Sequence, residues 1–348
     1  NFHRPGLSMP QLERLKTVIV GLGRAGSRFD EEPDRGVVWS HAGAYLARDD
    51  AFEIVGACDS DADARAAFAR RCPDVAVFDS LDDLIQGTRP DIASICTPEE
   101  SHALVLHHIL NMASLQTVWC EKPMAASLAE GQGMVDACAA RDVRLVVSHG
   151  RRWLPLWQRF SQMLAQGAVG PLVSLRIAMP NRLWSVTSHA VDLALMLAGP
   201  VSAVQSFDLA ELEQDEEPAK AAFLRFRSGA YGIIQITGKK NALLVEAEAI
   251  GAAGRLVANE SASTIRQERF VKSENFAGYQ ELAVEGETQH GSLSDSSHFS
   301  AICDEIAALT RQTDTKITCS GADALATQRV LEEMAHGGIA AAGARQSA

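Results

Sequence analysis

Over the first 150 positions, apolar residues recur in short, nearly unbroken runs. These are "TVIVGLG" (17–23), "FEIVGACD" (52–59), "VAVF" (75–78), "DIASICTP" (91–98), "QTVWCEKP" (116–123) and "VRLVVSH" (143–149). Segments of helical character, such as "DADARAAFARR" (61–71) and "SLAEGQGMVDACAARD" (127–142), lie between them. Short apolar strands alternating with helices predict βαβ units and a parallel sheet. Beyond about residue 150 the pattern changes. The runs at 172–180, 201–212, 221–238, 242–258 and 263–271 read as longer strands, and "SGA" and "GAAG" suit antiparallel hairpins. Helices are expected at 151–166, 187–198, 296–311 and 321–342. The acidic stretch "ELEQDEEPAK" (211–220) reads as a solvated hairpin loop. The expected fold class is α/β: a parallel-sheet domain at 16–150, then an α+β domain at 151–345 on a large, mostly antiparallel sheet.

Composition narrows the function. The chain has 348 residues, enough for two domains, and 47% apolar residues, enough for a sizeable core. Its formal net charge of −12 offers no basic footprint for nucleic acid and would be repelled by an anionic membrane surface. No apolar run is long enough to span a bilayer. Residues 1–11 are polar and proline-interrupted, unlike a secretory leader, and 1–8 are set aside from fold reasoning. Seven cysteines are scattered with no C-x-x-C pair, which argues for a reducing, cytoplasmic setting and against a disulfide framework.

The first run ends in "GLGRAG", a G-x-G-x-x-G at Gly21, Gly23 and Gly26. Gly21 permits a tight turn, Gly23 lets the backbone approach a pyrophosphate, and Gly26 allows close helix–strand packing. Gly21, Gly23, Arg24, Ala25 and Gly26 are therefore cofactor-binding candidates. An acidic residue about 20 positions on should close the second strand and hold ribose hydroxyls. Asp59 closes that strand, but it lies 33 residues past Gly26. "SRFDEEPDRGVVWS" (27–40) contains Pro33 and Gly36, and a helical pattern resumes at His41. Removing roughly a dozen residues restores the spacing. The stretch 27–40 is read as an insertion, either a surface loop or a flap over cofactor or substrate. Asp59 favours NAD over NADP, because its carboxylate repels a 2′-phosphate; the nearest following arginine is Arg65.

Four further motifs follow in order: "CTPEESH" with Thr97, Pro98 and His102; "CEKPMA" with Glu121, Lys122 and Pro123; "HGRRWLP" (149–155); and "SHAVDLALMLAG" (188–199) with His189 and Asp192. Together with the glycine loop, they make the chain resemble the glucose–fructose oxidoreductase / inositol dehydrogenase (Gfo/Idh/MocA) family from about Lys16 to Ala341. The resemblance implies an N-terminal Rossmann dinucleotide-binding domain and a C-terminal α+β domain whose open sheet joins subunits into a homodimer or homotetramer. It also implies a nicotinamide cofactor, NAD with NADP possible, and hydride transfer at a sugar, inositol or related carbon. Thr97, Pro98, His102, Glu121 and Lys122 carry over as cofactor-binding positions, and Lys122 and His189 as catalytic ones.

Oxidising a secondary alcohol requires a side chain that takes the hydroxyl proton as the hydride leaves, and returns it in reduction. A neutral histidine suits this near pH 7. A lysine acts as acid or base when its pKa is lowered, and otherwise stabilises the developing alkoxide. Lys122 ends an apolar strand, where doubly wound sheets bind ligands. Read alone it is an exposed lysine at a helix start. Glu121 orients Lys122 or the adjacent chain, and Pro123 fixes the turn, with a cis peptide bond as one option. His189 and Asp192 share a helical face. Asp192 fixes the His189 tautomer, contacts a substrate hydroxyl, or simply opens an amphipathic helix.

One position departs from the family pattern. Dehydrogenase-type members carry an aspartate four residues before this histidine, and here Ser185 stands there. Lys122 and His189 then manage the proton alone, Asp192 substitutes, or the chemistry differs. The family includes non-catalytic, cofactor-sensing members, so a regulator or scaffold is the second reading. "RRWLPLWQRF" (151–160) offers arginines for an anion and tryptophans for a sugar face, or an amphipathic helix packed on the sheet. The substrate candidates are Arg152, Trp153, Asn181, Trp184, Ser185 and Asp192, with Arg182 beside them. His102, His107 and His108 do not share a helical face as a ligand set would, so no metal is expected.

Overall fold

The computed structural model describes residues 13–32, 36–180, 182–209, 212, 218–238, 244–290, 297–311 and 315–339. Asn181, positions 33–35 of the insertion and most of the acidic stretch 211–220 lie outside them.

The first half builds β1 (Leu15–Val20), α1 (His41–Leu46), β2 (Phe52–Cys58), α2 (Ala62–Arg71), β3 (Val77–Phe78), α3 (Leu81–Thr88), β4 (Ile92–Ile95), α4 (Glu99–Met112), β5 (Thr117–Cys120), α5 (Leu128–Ala139) and β6 (Arg144–Val147). The six strands are parallel, in the order β3-β2-β1-β4-β5-β6. That is the doubly wound order, with its switch point between β1 and β4. β4 and β5 are buried along their whole length, which is why they read as unbroken apolar runs. Ser40, Asp61, Ser80 and Ser127 cap the helices that follow them by accepting backbone N–H bonds.

The second half adds α6 (Pro155–Ala165), β7 (Leu172–Met179), α7 (Ser188–Ala198), β8 (Val201–Asp208), β9 (Lys220–Phe226), β10 (Tyr231–Ile236), β11 (Glu246–Gly251), β12 (Gly254–Asn259), β13 (Thr264–Lys272), β14 (Gln280–Gln289), α8 (His298–Arg311), α9 (Gly321–His336) and β15 (Gly338–Ile339). Eight longer strands, with the two-residue β15 at one edge, form a sheet in the order β14-β13-β12-β11-β7-β10-β9-β8-β15. Its pairs are antiparallel except β7 with β10 and β8 with β15. The expectation of a mostly antiparallel sheet holds.

Three details differ from the sequence expectation. β14 was not anticipated: it is exposed along almost its whole length, so no buried face imprints a period on its sequence. The helix expected to reach 342 stops at His336, before Gly337, and the chain then pairs with β8. The cut at 150 separates the two sheets but not the two cores. α8 returns to the first core through Phe299, Ile302, Cys303 and Ile306, and Trp153 joins it there. The second core gathers Trp157, Phe160, Ile177, Val191, Leu224 and Ile234 under the antiparallel sheet. Among the described residues no helix is long and apolar enough to cross a membrane, and all seven cysteines are free thiols.

Candidate active site

At the switch point the chain leaves β1 into the glycine turn. Gly21 has φ +93°, and a Cβ there would meet the backbone of Cys96 and Thr97 at 2.6 Å. A Cβ on Gly26 would lie 2.0 Å from the Gly21 carbonyl oxygen. At Gly23 a Cβ would meet nothing within 4 Å. The second glycine therefore faces open space while the other two are packed against backbone. Asp59 closes the turn: its carboxylate accepts the Leu22 N–H at 2.6 Å and the Asp61 N–H at 2.8 Å. The Oγ1 of Thr97, buried next to Gly21, has no hydrogen-bond partner among the described residues. An open cradle at Gly23, a carboxylate at the end of β2 and this orphaned hydroxyl fit a dinucleotide. Gly21, Gly23, Arg24, Ala25 and Gly26 would meet its pyrophosphate, and Asp59 its ribose.

The insertion is a loop excised from one helix. The His41 N–H donates to the Ala25 carbonyl at 2.9 Å and the Ala42 N–H to the Gly26 carbonyl at 3.0 Å. These partners are sixteen residues apart, where a continuous helix has four. The helix bonds are thus offset by twelve residues between the glycine loop and α1. Asp30 clamps the base of the bulge by accepting from the Trp39 N–H at 2.6 Å, the Ser40 hydroxyl at 2.5 Å and the Arg71 guanidinium at 3.0 Å. Arg24 lies 4.3 Å over the Phe29 ring and donates to Glu32 at 3.1 Å, so the bulge touches the cofactor turn itself.

Lys122 leaves the C-terminal end of β5, between β4 and β6, and its bond to Pro123 is cis. Its Nζ donates to the carbonyl oxygen of Ser185 at 2.7 Å. Ser185 lies in a π-helical turn, Leu183–Thr187, that follows Arg182 at φ +122° and runs into α7. A wide turn there is the kind of irregularity that marks functional sites. Glu121 is held from several sides. Its carboxylate pairs with the ring of His41 at 3.0 Å, and Ser148 and the charge of Lys122 both favour its ionised form. Burial pushes the Glu121 carboxyl up, but His41, Ser148 and Lys122 outweigh it and bring it to about 2.

Three more histidines complete the site. His149 ends β6 as Lys122 ends β5, and its ring lies 6.0 Å from that of His189, edge to face. His298, from α8, sits so close to Gly150 that a Cβ there would come within 2.2 Å of the ring. Burial lowers the pKa of all three. For His189 the charges of Arg151 and Lys122 lower it further, well below its ordinary range, and His298 falls to about 4. They are neutral imidazoles near pH 7. The Nδ1 atoms of His149 and His189 and the Oγ of Ser188 are buried without a hydrogen-bond partner among the described residues. No group of three or more His, Cys, Asp or Glu side chains among those residues is arranged to hold a metal ion.

Several sequence candidates turn inward instead. Arg152 and Asp192 pair with each other at 2.9–3.0 Å, both buried. Asp192 also accepts from Thr327 at 3.1 Å, so it neither orients His189 nor reaches toward a substrate. Trp153 is buried in the first core and donates to Glu305 at 2.9 Å. The "RRWLPLWQRF" stretch is an internal scaffold: Arg151 grips Glu260 with two 3.0 Å bonds, and Trp157 donates to the same carboxylate at 2.6 Å. His102 is buried, with Nε2 2.7 Å from the Thr97 carbonyl and Nδ1 3.0 Å from that of Pro123. It ties the Thr97–Pro98 turn to the Lys122–Pro123 turn and leaves no ring nitrogen for a cofactor. Trp184 stays near the chemistry, lining a cavity of about 240 Å³ with Pro123, Met124, His149 and Ser188. A larger cavity, about 850 Å³, is lined by Arg152, Arg227, Lys316 and Arg329 and touches none of Lys122, His149 or His189. Sequence reasoning missed His41, His149 and His298. The first two had a usable signal: His41 restarts the interrupted helix, and His149 ends an apolar run as Lys122 does.

Residues 15–149 match the family model described as "Oxidoreductase family, NAD-binding Rossmann fold", of the Gfo/Idh/MocA group. A curated relative, D-glucoside 3-dehydrogenase of Escherichia coli, is 24% identical over 45% of this chain and 41% of its own length. The chain therefore spans less than half the length of that relative. The fold is similar over 93% of the chain to the WlbA dehydrogenase from Bordetella pertussis, solved in complex with NADH and UDP-GlcNAcA, covering 96% of it at 22% identity and a TM-score of 0.73. It is equally similar in fold to a super-repressor mutant of Gal80p from Saccharomyces cerevisiae, with a TM-score of 0.75 at 15% identity, covering 93% of this chain and 96% of that one. Residues 15–149 are thus an NAD-binding Rossmann domain of the Gfo/Idh/MocA oxidoreductase family.

Proposed function

We propose that this protein transfers a hydride between NAD(P) and the hydroxyl or carbonyl carbon of a sugar, inositol or sugar derivative, with Lys122 and His189 handling the proton. The observation that carries this reading is the meeting of Lys122, at the C-terminal end of β5, with the π-turn and helix that bear Ser185 and His189. A bound nicotinamide supplies the hydride acceptor or donor. His189, kept neutral by burial and by the charges of Arg151 and Lys122, takes the hydroxyl proton during oxidation and returns it in reduction. Lys122 donates a hydrogen bond to the same oxygen and stabilises its developing charge. The ionised Glu121 beside it balances that charge. Trp184, on the wall of the neighbouring cavity, offers an apolar face to a sugar ring.

NAD is the expected cofactor. A carboxylate at the end of β2, here Asp59, would repel a 2′-phosphate, which supports this preference. Arg65 folds onto the Asp59 and Ser60 carbonyls at 2.8 and 2.9 Å and is the nearest following cation an NADP phosphate would find. Assembly into a homodimer or homotetramer through the antiparallel sheet is supported by its open face, where Phe223 pairs across from Ile233 and stacks on Tyr231 at 5.3 Å. The test is NAD⁺ and NADP⁺ reduction over a panel of sugars, inositols, sugar acids and nucleotide-sugars, with Lys122→Ala alongside. Turnover that disappears in Lys122→Ala while NADH still binds supports the reading. Full activity in that variant removes Lys122 from the chemistry.

The second reading is a cofactor-sensing regulator of the same fold. Ser185, in place of a carboxylate, and the likeness to Gal80p favour it. NADH binding without turnover on any panel member would decide for it.

A further inference from the structure

We infer that His41 is a positioning residue for Lys122, acting through Glu121 at the end of one buried hydrogen-bonded chain, Tyr45–Ser94–His41–Glu121. The inference rests on the proposed role of Lys122. Each bond is close: Tyr45 Oη to Ser94 Oγ at 2.9 Å, Ser94 Oγ to His41 Nδ1 at 2.9 Å, and His41 Nε2 to Glu121 Oε1 at 3.0 Å. The direction of every proton follows from its terminus. An ionised carboxylate only accepts, so His41 Nε2 carries the hydrogen; burial favours the neutral ring, in which Nδ1 is the acceptor. Ser94 therefore donates to Nδ1, and its oxygen takes the Tyr45 hydroxyl proton. All donors point toward Glu121, and each bond polarises the next.

The chain is a clamp and not a proton wire. Tyr45, Ser94 and His41 are 0–1% exposed, and the phenol ends in the core beside Phe52. No proton reaches bulk water along this route. The ring of His41 is itself wedged 3.7 Å from that of Trp119, whose Nε1 donates to Ser148 at 2.8 Å. Ser148 also favours the ionised Glu121 carboxylate, so the same aromatic wall backs both His41 and Ser148. The other Glu121 oxygen meets the backbone N–H of Lys122 at 3.3 Å. Fixing the carboxylate thus fixes the peptide from which the lysine departs. A residue at position 41 must accept at one end and donate at the other; imidazole does both, whereas arginine and lysine only donate. The twelve-residue offset obscures this in sequence, yet the helix bonds return His41 to the fourth place after Ala25.

The test compares His41→Phe, which keeps the stacking but neither hydrogen bond, with His41→Gln, which keeps a donor for Glu121. His41→Phe is expected to lower kcat by about 10- to 100-fold, the usual cost of an outer-shell partner, with NADH affinity within about threefold of wild type. His41→Gln should recover most of kcat at a Tm similar to that of His41→Phe. In a crystal structure of His41→Phe, the Glu121 carboxylate should move by about 1 Å or more, a shift large enough to matter to a positioned site. An unmoved carboxylate, or wild-type kcat in His41→Phe, overturns the inference. If wild type turns over no substrate, the proposed function fails, and the crystallographic comparison alone decides the clamp. If His41→Phe does not fold, Ser94→Ala, which removes the donor to Nδ1, is judged by the same two readouts.

Discussion

The Nζ of Lys122 lies 2.7 Å from the backbone carbonyl of Ser185, so the residue that replaces an expected aspartate meets the lysine through its main chain and not its side chain. The serine hydroxyl is therefore dispensable for that contact. Ser185→Ala should change kcat/KM by less than about threefold, because the carbonyl remains. Lys122→Ala should reduce it by at least about 100-fold, the cost of removing a donor that stabilises a developing oxyanion. Steady-state kinetics of the two variants side by side checks this; equal losses would mean that the serine side chain shares the chemistry.

Arg152 and Asp192 are predicted to govern stability and not substrate affinity. Removing one partner of a buried ion pair strands the other, at a cost of about 3–5 kcal/mol. Asp192→Ala should lower Tm markedly, while any activity left at low temperature keeps the wild-type KM. A substantial rise in KM without a loss of Tm would return Asp192 to the substrate site.

Stability should fall with acid in two steps. His298 has a folded pKa of about 4 against an ordinary 6.5, because burial outweighs the attraction of Glu121. The unfolded chain binds that proton more readily, so the contribution is complete above pH 6.5 and is lost as pH falls to 4. Glu121, about 2 against an ordinary 4.5, adds a second loss as pH falls from 4.5 to 2. Each group contributes a slope of about 1.4 kcal/mol per pH unit inside its window. Calorimetric scans from pH 7 to pH 4.5 should show a shallower fall of Tm in His298→Gln than in wild type. An unchanged slope would mean that His298 titrates normally in the folded protein.

Deleting residues 28–39 should leave a folded protein. It removes the twelve-residue offset and joins Ser27 to Ser40, so that the Ala25–His41 and Gly26–Ala42 bonds become those of one continuous helix. Arg24 would lose its contacts with Phe29 and Glu32. The Kd for NADH, read by fluorescence, is expected to rise by at least about threefold if the bulge is a flap over the cofactor. An unchanged Kd together with an unchanged substrate KM reduces it to a surface loop.

Much of this protein was legible in the sequence alone. Parallel strands buried on both faces read as unbroken apolar runs, so the first sheet and the position of Lys122 at a strand end followed directly. Gly21 and Gly26 were legible because a Cβ at either would overlap backbone, a constraint that leaves one residue type. The length of the bulge was legible as excess spacing between Gly26 and Asp59. Tertiary structure alone decided the partners of the charged and polar side chains. Arg152 spends itself on Asp192, forty residues away, His41 on Glu121, eighty residues away, and His298 packs on Gly150 from a helix that crosses back to the first core. Hydrophobic periodicity reports which face of an element is buried, not which side chain lies opposite. For a buried arginine or histidine, that opposite side chain separates a scaffold from a reactive group.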